Sequence, residues 1–328
     1  MADRRQFLVA SALAIAGATR ARAAQSPAKT FRIGHLSGSG EAGSKTNTDA
    51  FKQGMRELGY IEGENWIFEQ RFAGGQTDRL PALAQELIAW KPDAMLVSTT
   101  PGNLAAKAAT STIPIVMVSV ADPVGTGIVA SLAHPGGNIT GVTNIVAELA
   151  AKRLELLKEM VPGATHIAVI LNPDNPNAAP QLKSAQAAAK QLKIELRPVI
   201  AMRSPAELEK TLETAARAAP AAIRMIDPLV FMLRRETAAL AAKLKLPMIY
   251  STPEDAEAGG LIAYGADIPS QYRQAATFMS KILRGAKPAD LPVEQPTTFE
   301  LVVNLKAAKA LGLKVPQGIM VRANRFIE

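Results

Sequence analysis

The 328-residue chain contains no cysteine. This absence excludes disulfide bonds, thiolate metal sites and a lipid-modified cysteine as a membrane anchor. Aromatic residues are few, at 5% of the sequence. After the N-terminal segment no stretch approaches 18 unbroken apolar residues, so the sequence predicts no membrane-spanning helix there.

Clustered charge of one sign is also missing. The net charge is +8, but lysine and arginine are spread along the chain rather than gathered on one segment. A nucleic-acid-binding protein needs a concentrated basic face, so we expect no nucleic-acid partner. With 48% apolar residues, the chain can form the core of one or two ordinary domains.

Residues 1–23 have the layout of an export signal. Arg4 and Arg5 precede an alanine-rich apolar run, and Ala-Arg-Ala at its end supplies the small residues that a signal peptidase requires. The order Arg-Arg-x-Phe-Leu resembles a twin-arginine signal, but Asp3 stands where that signal has Ser or Thr, so the general secretory route stays open. We expect cleavage after Ala23 and a soluble periplasmic protein that is not a lipoprotein.

Strand-like runs alternate with helical patterns twice along the chain. FRIGHL (31–36) and the apolar run 113–120 belong to a first series, which ends at the turn-rich segment 134–138. A second series includes HIAVIL (166–171). Alternating strands and helices predict right-handed βαβ units and parallel sheets. We therefore expect two α/β lobes, with the tail elements returning to complete them through several chain crossings.

Six predicted strand ends carry small polar residues. Ligands of open parallel sheets lie outside the carboxyl ends of the strands, where helix N termini present free N–H groups. Helix capping explains any one of these ends, whereas six ends divided between two lobes favour a shared binding cleft. The ends are Ser37-Gly38, Ser98-Thr99-Thr100-Pro101, Ala121-Asp122-Pro123, Asn172-Pro173-Asp174, Asp227-Pro228 and Tyr250-Ser251-Thr252-Pro253.

The sequence shows no recognisable catalytic constellation. His35, His134 and His166 are far apart, and none belongs to a metal-ligand motif such as H-E-x-x-H. No G-x-S-x-G nucleophile elbow occurs. These observations favour a binding protein over an enzyme, with no metal and no cofactor.

One glycine-rich stretch keeps a cofactor alternative open. GSGEAG (38–43) has the spacing of a dinucleotide-binding turn and follows a predicted strand. The apolar periodicity after it begins only at Phe51, which predicts a helix over 48–58 capped by Thr48 and leaves Gly43 outside the first turn. This spacing favours a plain turn, with an exported NAD(P)-dependent oxidoreductase as the alternative.

Several long stretches carry a resemblance to a known family. They are FKQGMRELGYIEGENW (51–66), DRLPALAQEL (78–87), the run 109–142 that ends in AHPGGNITGV, AKRLELLKEMVPG (151–163), EAGGLIAYG (257–265), the run 281–313 and the final RANRFIE. These stretches resemble the substrate-binding proteins of an ABC uptake family whose better-understood members bind aromatic amino acids.

The resemblance implies the fold of a type I periplasmic binding protein. In this fold, two doubly wound parallel-sheet lobes are joined by a hinge of three crossings and close on a ligand between them. The first lobe would comprise 30–144 and 250–285, and the second 145–249 and 286–328. Several crossings are also what the leftover tail elements predict.

The resemblance also implies a ligand site. Thr99, Thr100 and the loop from Asn172 to Asn177 would hold a carboxylate or another acceptor-rich group through N–H and hydroxyl donors. Asp227 lies where amino-acid-binding relatives place an acid for the ammonium group. The proline that follows it departs from the polar residue expected there, so the sequence leaves the ligand open among an amino acid, an aromatic acid and a small amide.

Five further residues complete the candidate site. Tyr250, Ser251 and Tyr264 would supply a stacking wall and hydroxyl contacts. Ser37 and Asp122 end strands of the predicted first lobe and would contribute further polar contacts.

The function implied is that of a monomeric solute-binding component of an import system. It would capture a small molecule in the periplasm and deliver it to an inner-membrane ABC permease with its cytoplasmic ATPase. A periplasmic sensor that presents its bound form to a signalling receptor, and the oxidoreductase above, remain alternatives.

Overall fold

The computed structural model describes residues 29–328, apart from the side chains of 146–148. The predicted export signal, 1–23, lies outside the described residues. Within the described part, no helix is both long enough and apolar enough to cross a membrane.

The first sheet contains five parallel strands in the order β2-β1-β3-β4-β5. The strands are β1 (Phe31–Ser37), β2 (Trp66–Phe72), β3 (Ala94–Ser98), β4 (Ile115–Ala121) and β5 (Ile139–Asn144). The helices between them are α1 (Glu41–Glu57), α2 (Leu80–Ala89) and α3 (Thr100–Ala109), with a short 3-10 turn at Thr77–Arg79.

The second sheet contains seven strands in the order β12-β11-β10-β9-β8-β6-β7, and all neighbours are parallel except β10 and β11. Its strands are β6 (His166–Leu171), β7 (Glu195–Ala201), β8 (Ala222–Arg224), β9 (Met248–Tyr250), β10 (Ile262–Ala266), β11 (Phe299–Asn304) and β12 (Arg325–Ile327). The remaining helices are α4 (Val146–Met160), α5 (Ala178–Gln191), α6 (Leu208–Ala218), α7 (Pro228–Met232), α8 (Arg234–Lys243), α9 (Pro253–Glu257), α10 (Ile268–Leu283), α11 (Leu305–Ala310) and α12 (Gln317–Arg322).

Each sheet is buried on both faces. All five residues of β3 are buried, and strands of this kind read as continuous apolar runs because helices cover both sides of a parallel sheet. Separate apolar clusters lie on the two faces of each sheet. The expectation of two α/β lobes with doubly wound, mainly parallel sheets is therefore confirmed.

The chain passes between the two sheets three times. The first passage follows Asn144, the second follows Ala266, and the third lies between Glu294 and Phe299. After the second passage α10 packs against α1 and the first sheet. We call the first sheet with α1–α3 and α10 the first lobe, and the second sheet with its helices the second lobe.

The expected division of the tail is corrected by these passages. Segment 250–285 was expected in the first lobe, but β10 pairs with β9 and β11 in the second sheet. Residues after 285 were expected in the second lobe, yet Val293 packs in a core of the first, and Thr140 donates a hydrogen bond to the carbonyl of Leu291 at 2.6 Å. The residues of a short apolar strand do not determine which sheet it joins, because such a strand can be buried in the core of either lobe.

The start of α1 is also corrected. The helix begins at Glu41 rather than at Thr48, so Gly43 lies in its first turn. The predicted start was late because the buried face of the first turns carries Ser44 and Asn47 rather than apolar residues. A search for regularly spaced apolar residues does not detect a helical turn whose buried residues are polar.

Close packing at the second passage depends on a glycine. A methyl group on Gly265 would lie 1.9 Å from the carbonyl oxygen of Ser251, at the end of β9. Replacement of Gly265 by alanine is therefore expected to lower the free energy of unfolding by about 1–3 kcal/mol or more, because backbone has to move. Urea unfolding of the full chain measures this change.

Gly163 provides the matched control. A methyl group there would meet no atom within 4 Å, so Gly163→Ala is expected to leave the unfolding free energy unchanged or slightly raised. Equal unfolding free energies for Gly265→Ala and Gly163→Ala would contradict the close approach.

Candidate functional site

A cavity lies where the carboxyl ends of the two sheets face each other. It is about 80 Å³ in volume for the centre of a water-sized sphere, several times the 10–15 Å³ or so that one water needs. The lining residues are Ser37, Ser39, Ser44, Asn47, Ser98, Thr99, Thr100, Pro101, Ser119, Ala121, Asn144, Asn175, Asn177, Ile226, Asp227, Pro228, Phe231, Thr252, Ile268 and Tyr272. They come from both lobes, and none of them is basic.

The wall from the first lobe consists largely of hydroxyl groups. The Ser98 hydroxyl lies 3.2 Å from that of Ser37, which lies 3.1 Å from that of Ser44 in the first turn of α1. Burial raises the pKa of Tyr272, on α10, to about 12, so its phenol is neutral at physiological pH. This wall offers uncharged donors and acceptors to a ligand.

Thr99 and Thr100 shape the start of α3. Thr99 has a φ of 67°, and its hydroxyl accepts a hydrogen bond from the N–H of Gly102 at 3.3 Å as the helix cap. The Thr100 hydroxyl donates to the carbonyl of Ala121 at 3.3 Å and accepts from the N–H of Ala121 at 3.1 Å. These two hydrogen bonds between Thr100 and Ala121 connect α3 to the end of β4.

Asp227 is the acidic residue in the lining of the cavity. One carboxylate oxygen accepts hydrogen bonds from the N–H groups of Leu229 and Val230, and the other from the amides of Asn172 and Asn175. Burial raises the pKa of this carboxyl group, and the four donors oppose that shift. Among the described residues no lysine, arginine or histidine forms an ion pair with it.

A hydrogen bond from Asn177 links the lobes across the cavity. Its Nδ2 donates to the Thr100 hydroxyl at 2.8 Å. Because that hydroxyl gives its single proton to Ala121, the amide group facing it must be the NH₂. The Asn177 Oδ1 therefore points away from Thr100. Like the Oδ1 of Asn144, it is buried and has no hydrogen-bond partner among the described residues. An unpaired buried acceptor is unfavourable by about 1–3 kcal/mol until a donor reaches it.

The sequence matches the model of one protein family over most of its length. The model is described as ABC transporter substrate binding protein, and it matches residues 40–327.

This chain belongs to that family.

Known relatives share both sequence and fold with this family member. It is 27% identical over 274 residues to the tyrosine-binding protein of Clostridioides difficile strain R20291, covering 80% of this chain and 76% of that protein. A conserved domain protein from Vibrio cholerae superposes with a TM-score of 0.86 at 27% identity, covering 91% of this chain and all of that one. The fold is that of the type I periplasmic binding proteins, which include the 5-methylthioribose-binding protein of Thermotoga lettingae (TM-score 0.60, 17% identity, 90% and 98% covered).

Two further solved structures share the fold of this substrate-binding protein. A Streptococcus pneumoniae ABC domain in complex with L-Trp superposes with a TM-score of 0.84, and a ligand-free, open substrate-binding protein from Clostridioides difficile with 0.66. Both are 24% identical to this chain and cover 91% of it, with 100% and 99% of their own lengths aligned. The backbone thus resembles the complex more than the open form.

The predicted site residues of this family member fall into three groups: those that line the cavity, one that lies behind it, and those that lie elsewhere. The structure brings Ser37, Thr99, Thr100, Asn177 and Asp227 together at the cavity. Asn172 lies behind them and supports Asp227 rather than lining the space.

Four predicted residues lie elsewhere. Asp122 is exposed, and its carboxylate accepts from the N–H of Gly125 at 2.8 Å as a turn cap. Tyr250 is 1% exposed in a core of the second lobe, and the Ser251 hydroxyl donates to the carbonyl of Arg224 at 3.2 Å. Tyr264 packs against Phe299 with ring centroids 6.4 Å apart. The stacking wall expected from the two tyrosines is therefore not formed by them.

Aromatic and amide groups that the sequence analysis missed occupy the cavity instead. Phe231 lies on α7 and Tyr272 on α10, whose helical patterns show only amphipathicity. Asn175 was inside the predicted loop, and the polar interruption at Ser44 and Asn47 is the signal that could have revealed that the first turns of α1 face a cavity.

The geometry does not favour a dinucleotide at the glycine-rich turn. Gly43 does sit in the first turn of α1, as that site requires, but Phe231 and Arg234 of the second lobe lie 3.7 and 3.6 Å from a methyl group built there. The cavity is far smaller than a dinucleotide needs in this arrangement of the lobes.

The histidines lie away from the cavity lining, and one of them is deeply buried. His35 stacks on Phe68 with ring centroids 5.6 Å apart, and burial lowers its pKa to about 4 from 6.5. As the pH is lowered, His35 therefore becomes protonated near pH 6.5 in the unfolded chain but only near pH 4 in the native state. Stability falls as the pH drops through this window, by up to about 1.4 kcal/mol per pH unit.

Replacement of His35 by phenylalanine is expected to remove that contribution. The unfolding free energy of the wild type should fall relative to that of His35→Phe as the pH is lowered from 7 towards 4.5, measured by urea unfolding. Profiles that stay parallel over this range would show that the buried ring is not the cause.

Proposed function

We propose that this protein is the periplasmic solute-binding component of an ABC import system and that it captures an L-amino acid with an apolar or aromatic side chain. The observation that carries the proposal is Asp227, a buried carboxylate at the cavity with no cationic partner among the described residues. The ligand ammonium would supply the missing positive charge.

Electrostatics favours such a ligand over a neutral or anionic one. Hydrogen bonds from four neutral donors lower the cost of burying the Asp227 charge but do not cancel the charge itself. A ligand ammonium at hydrogen-bond distance would form a charge-assisted pair in a region of low dielectric constant. The unpaired Oδ1 atoms of Asn144 and Asn177 would accept further ligand N–H groups.

Neutral donors would hold the ligand carboxylate, since no basic residue lines the cavity. The hydroxyl wall of Ser37, Ser44 and Ser98 is one source of donors. The N terminus of α1 is another, because its cap residue Gly40 has no side chain and leaves the first N–H groups unpaired by a cap. The positive end of the α1 dipole also stabilises an anion.

The ligand side chain would lie against Phe231, Tyr272 and Ile268. These residues form the apolar part of the lining, and aromatic rings favour offset or edge contacts with an aromatic ligand. The relative described as a tyrosine-binding protein supports this choice. The small cavity also favours a single amino acid over a larger solute.

Transport would follow from closure of the lobes about the three passages. Ligand contacts to both lobes stabilise the closed arrangement relative to the open one. An inner-membrane permease with its ATPase would recognise the closed form. The predicted export signal would place the protein in the periplasm.

Asp227→Asn provides the direct test. Asparagine keeps the helix-capping oxygen, but it removes the charge and replaces the oxygen that accepts from Asn172 and Asn175 by an NH₂ group. We therefore expect about tenfold to a hundredfold weaker binding of L-tyrosine. Isothermal titration calorimetry would measure this on full-length protein refolded from denaturant to remove any carried-over ligand. The same titrations with L-tryptophan and L-phenylalanine define the side-chain preference.

Two controls isolate the charge pair. 3-(4-Hydroxyphenyl)propionate lacks the ammonium, so Asp227→Asn should not weaken its binding. Asp174→Asn makes the same change on an exposed residue that pairs with Arg203, and it should bind L-tyrosine as the wild type does. Unchanged L-tyrosine binding by Asp227→Asn would rule out the proposed role of Asp227.

A further inference from the structure

Helix α7 of the second lobe rests on a surface of the first lobe that has no side chains. This surface, which we call the glycine seat, consists of Gly40 before α1 and Gly75 after β2. A methyl group on Gly40 would lie 3.3 Å from Met232 Cε, and one on Gly75 would lie 3.0 Å from Leu229 Cα and 3.3 Å from Met232 Sδ. A side chain on Gly75 would require the backbone of α7 to shift, because the nearest atom is Leu229 Cα, whereas one on Gly40 would require the end of the Met232 side chain to move.

Backbone hydrogen bonds hold the seat in place. The N–H groups of Gly75 and Gly74 donate to the carbonyls of Gly38 and Ser39 at 2.8 and 3.2 Å. The loop after β2 therefore continues alongside the loop after β1. Gly75 has a φ of 78°, which glycine adopts without strain.

Helix α7 carries two of the cavity residues. Asp227 caps the helix through the N–H groups of Leu229 and Val230, and Phe231 lies within it. The helix has only five residues, so a displacement of Met232 at its end moves Asp227 and Phe231 as well. Met232 itself is not among the residues lining the cavity.

We propose that the glycine seat and Met232 are positioning elements for ligand binding: the seat lets α7 approach until Asp227 and Phe231 close over the cavity. The ligand contacts rest on the proposed function, whereas the seating of α7 does not. The middle glycine of GSGEAG is thereby assigned to lobe closure, since Gly40 removes a side chain from the surface that α7 meets.

Gly40→Leu tests the seat. Gly40 has φ −86° and ψ 163°, which any residue adopts, so leucine introduces bulk without backbone strain. We expect at least about tenfold weaker L-tyrosine binding by calorimetry, because overpacking disfavours the closed form. The melting temperature of the ligand-free protein should stay within about 2 °C of the wild type, since the open form is unaffected.

Two variants separate positioning from a structural defect. Met232→Ala in the Gly40→Leu background removes the side chain that leucine meets and should restore most of the affinity. Gly163→Ala is the matched control, since its methyl group meets no atom within 4 Å and it lies outside the site, and it should bind as the wild type does. A lowered melting temperature with no rescue by Met232→Ala would overturn the proposal.

A distance measurement makes the test independent of the ligand. Because the chain has no cysteine, Gln53→Cys on α1 and Lys210→Cys on α6 provide defined positions for a pair of spin labels, one in each lobe. Gly40→Leu should reduce the population at the shorter, closed distance both without ligand and with L-tyrosine, and Met232→Ala should restore it.

The outcomes distinguish the two proposals. If the wild type fails to bind L-tyrosine and the other amino acids, the proposed function fails, and the seat is judged on the ligand-free distances alone. Identical distance distributions for the wild type and Gly40→Leu would overturn the proposed role of the glycine seat, whatever the ligand is.

Discussion

The hydrogen bond from Asn177 to Thr100 joins the two halves of the site. It is the last step of a buried chain that starts at the charge of Asp227. Asn175 donates to Asp227 at 2.8 Å and accepts from the N–H of Asn177 at 2.9 Å, and Asn177 donates to Thr100 at 2.8 Å. A carboxylate of the second lobe and the end of β4 in the first are thus held by one set of polar contacts. Because such contacts have strict distances, they form only when the lobes are in register.

The same chain connects recognition with closure. Opening the lobes would break the bond between Asn177 and Thr100 and expose both groups to water, which would satisfy them. In the arrangement seen here, the Oδ1 atoms of Asn144 and Asn177 are buried and have no partner within the part of the chain that the structure describes. Under the proposed function, a ligand with N–H donors would satisfy these acceptors, so ligand binding and closure would stabilise each other.

Local sequence patterns predicted the fold because they determine which residues must be buried. Alternating strands and helices fix parallel sheets, and parallel sheets fix the edge at which ligands are found. That rule led to Ser37, Thr99, Thr100 and Asp227, which the structure places at the cavity. Asn177, also at the cavity, came from the family resemblance. It misplaced Tyr250 because side chains alternate along a strand, and the last residue of β9 points into the core.

Contacts between distant segments could not be read in this way. Phe231 and Tyr272 are 41 positions apart and lie on different lobes, so their meeting at the cavity depends on how the lobes pack. The sheet that β10 joins is likewise decided by tertiary packing against Tyr250 and Val302 rather than by its own residues. The family resemblance predicted the three passages between the lobes, because it implies the chain topology of a whole fold rather than of single elements.

The glycine-rich turn shows why a spacing of glycines does not define a ligand. Glycine is required wherever another group must approach the backbone closely, and a phosphate is only one such group. At Gly40 the approaching group is Met232, and at Gly38 it is the Thr99 hydroxyl, 2.6 Å from the position a methyl group would take. The turn and the first turn of α1 thus meet neighbours from both lobes. Under the proposed function, the free N–H groups at this turn, which could bind a phosphate in an open site, would bind the carboxylate of the ligand.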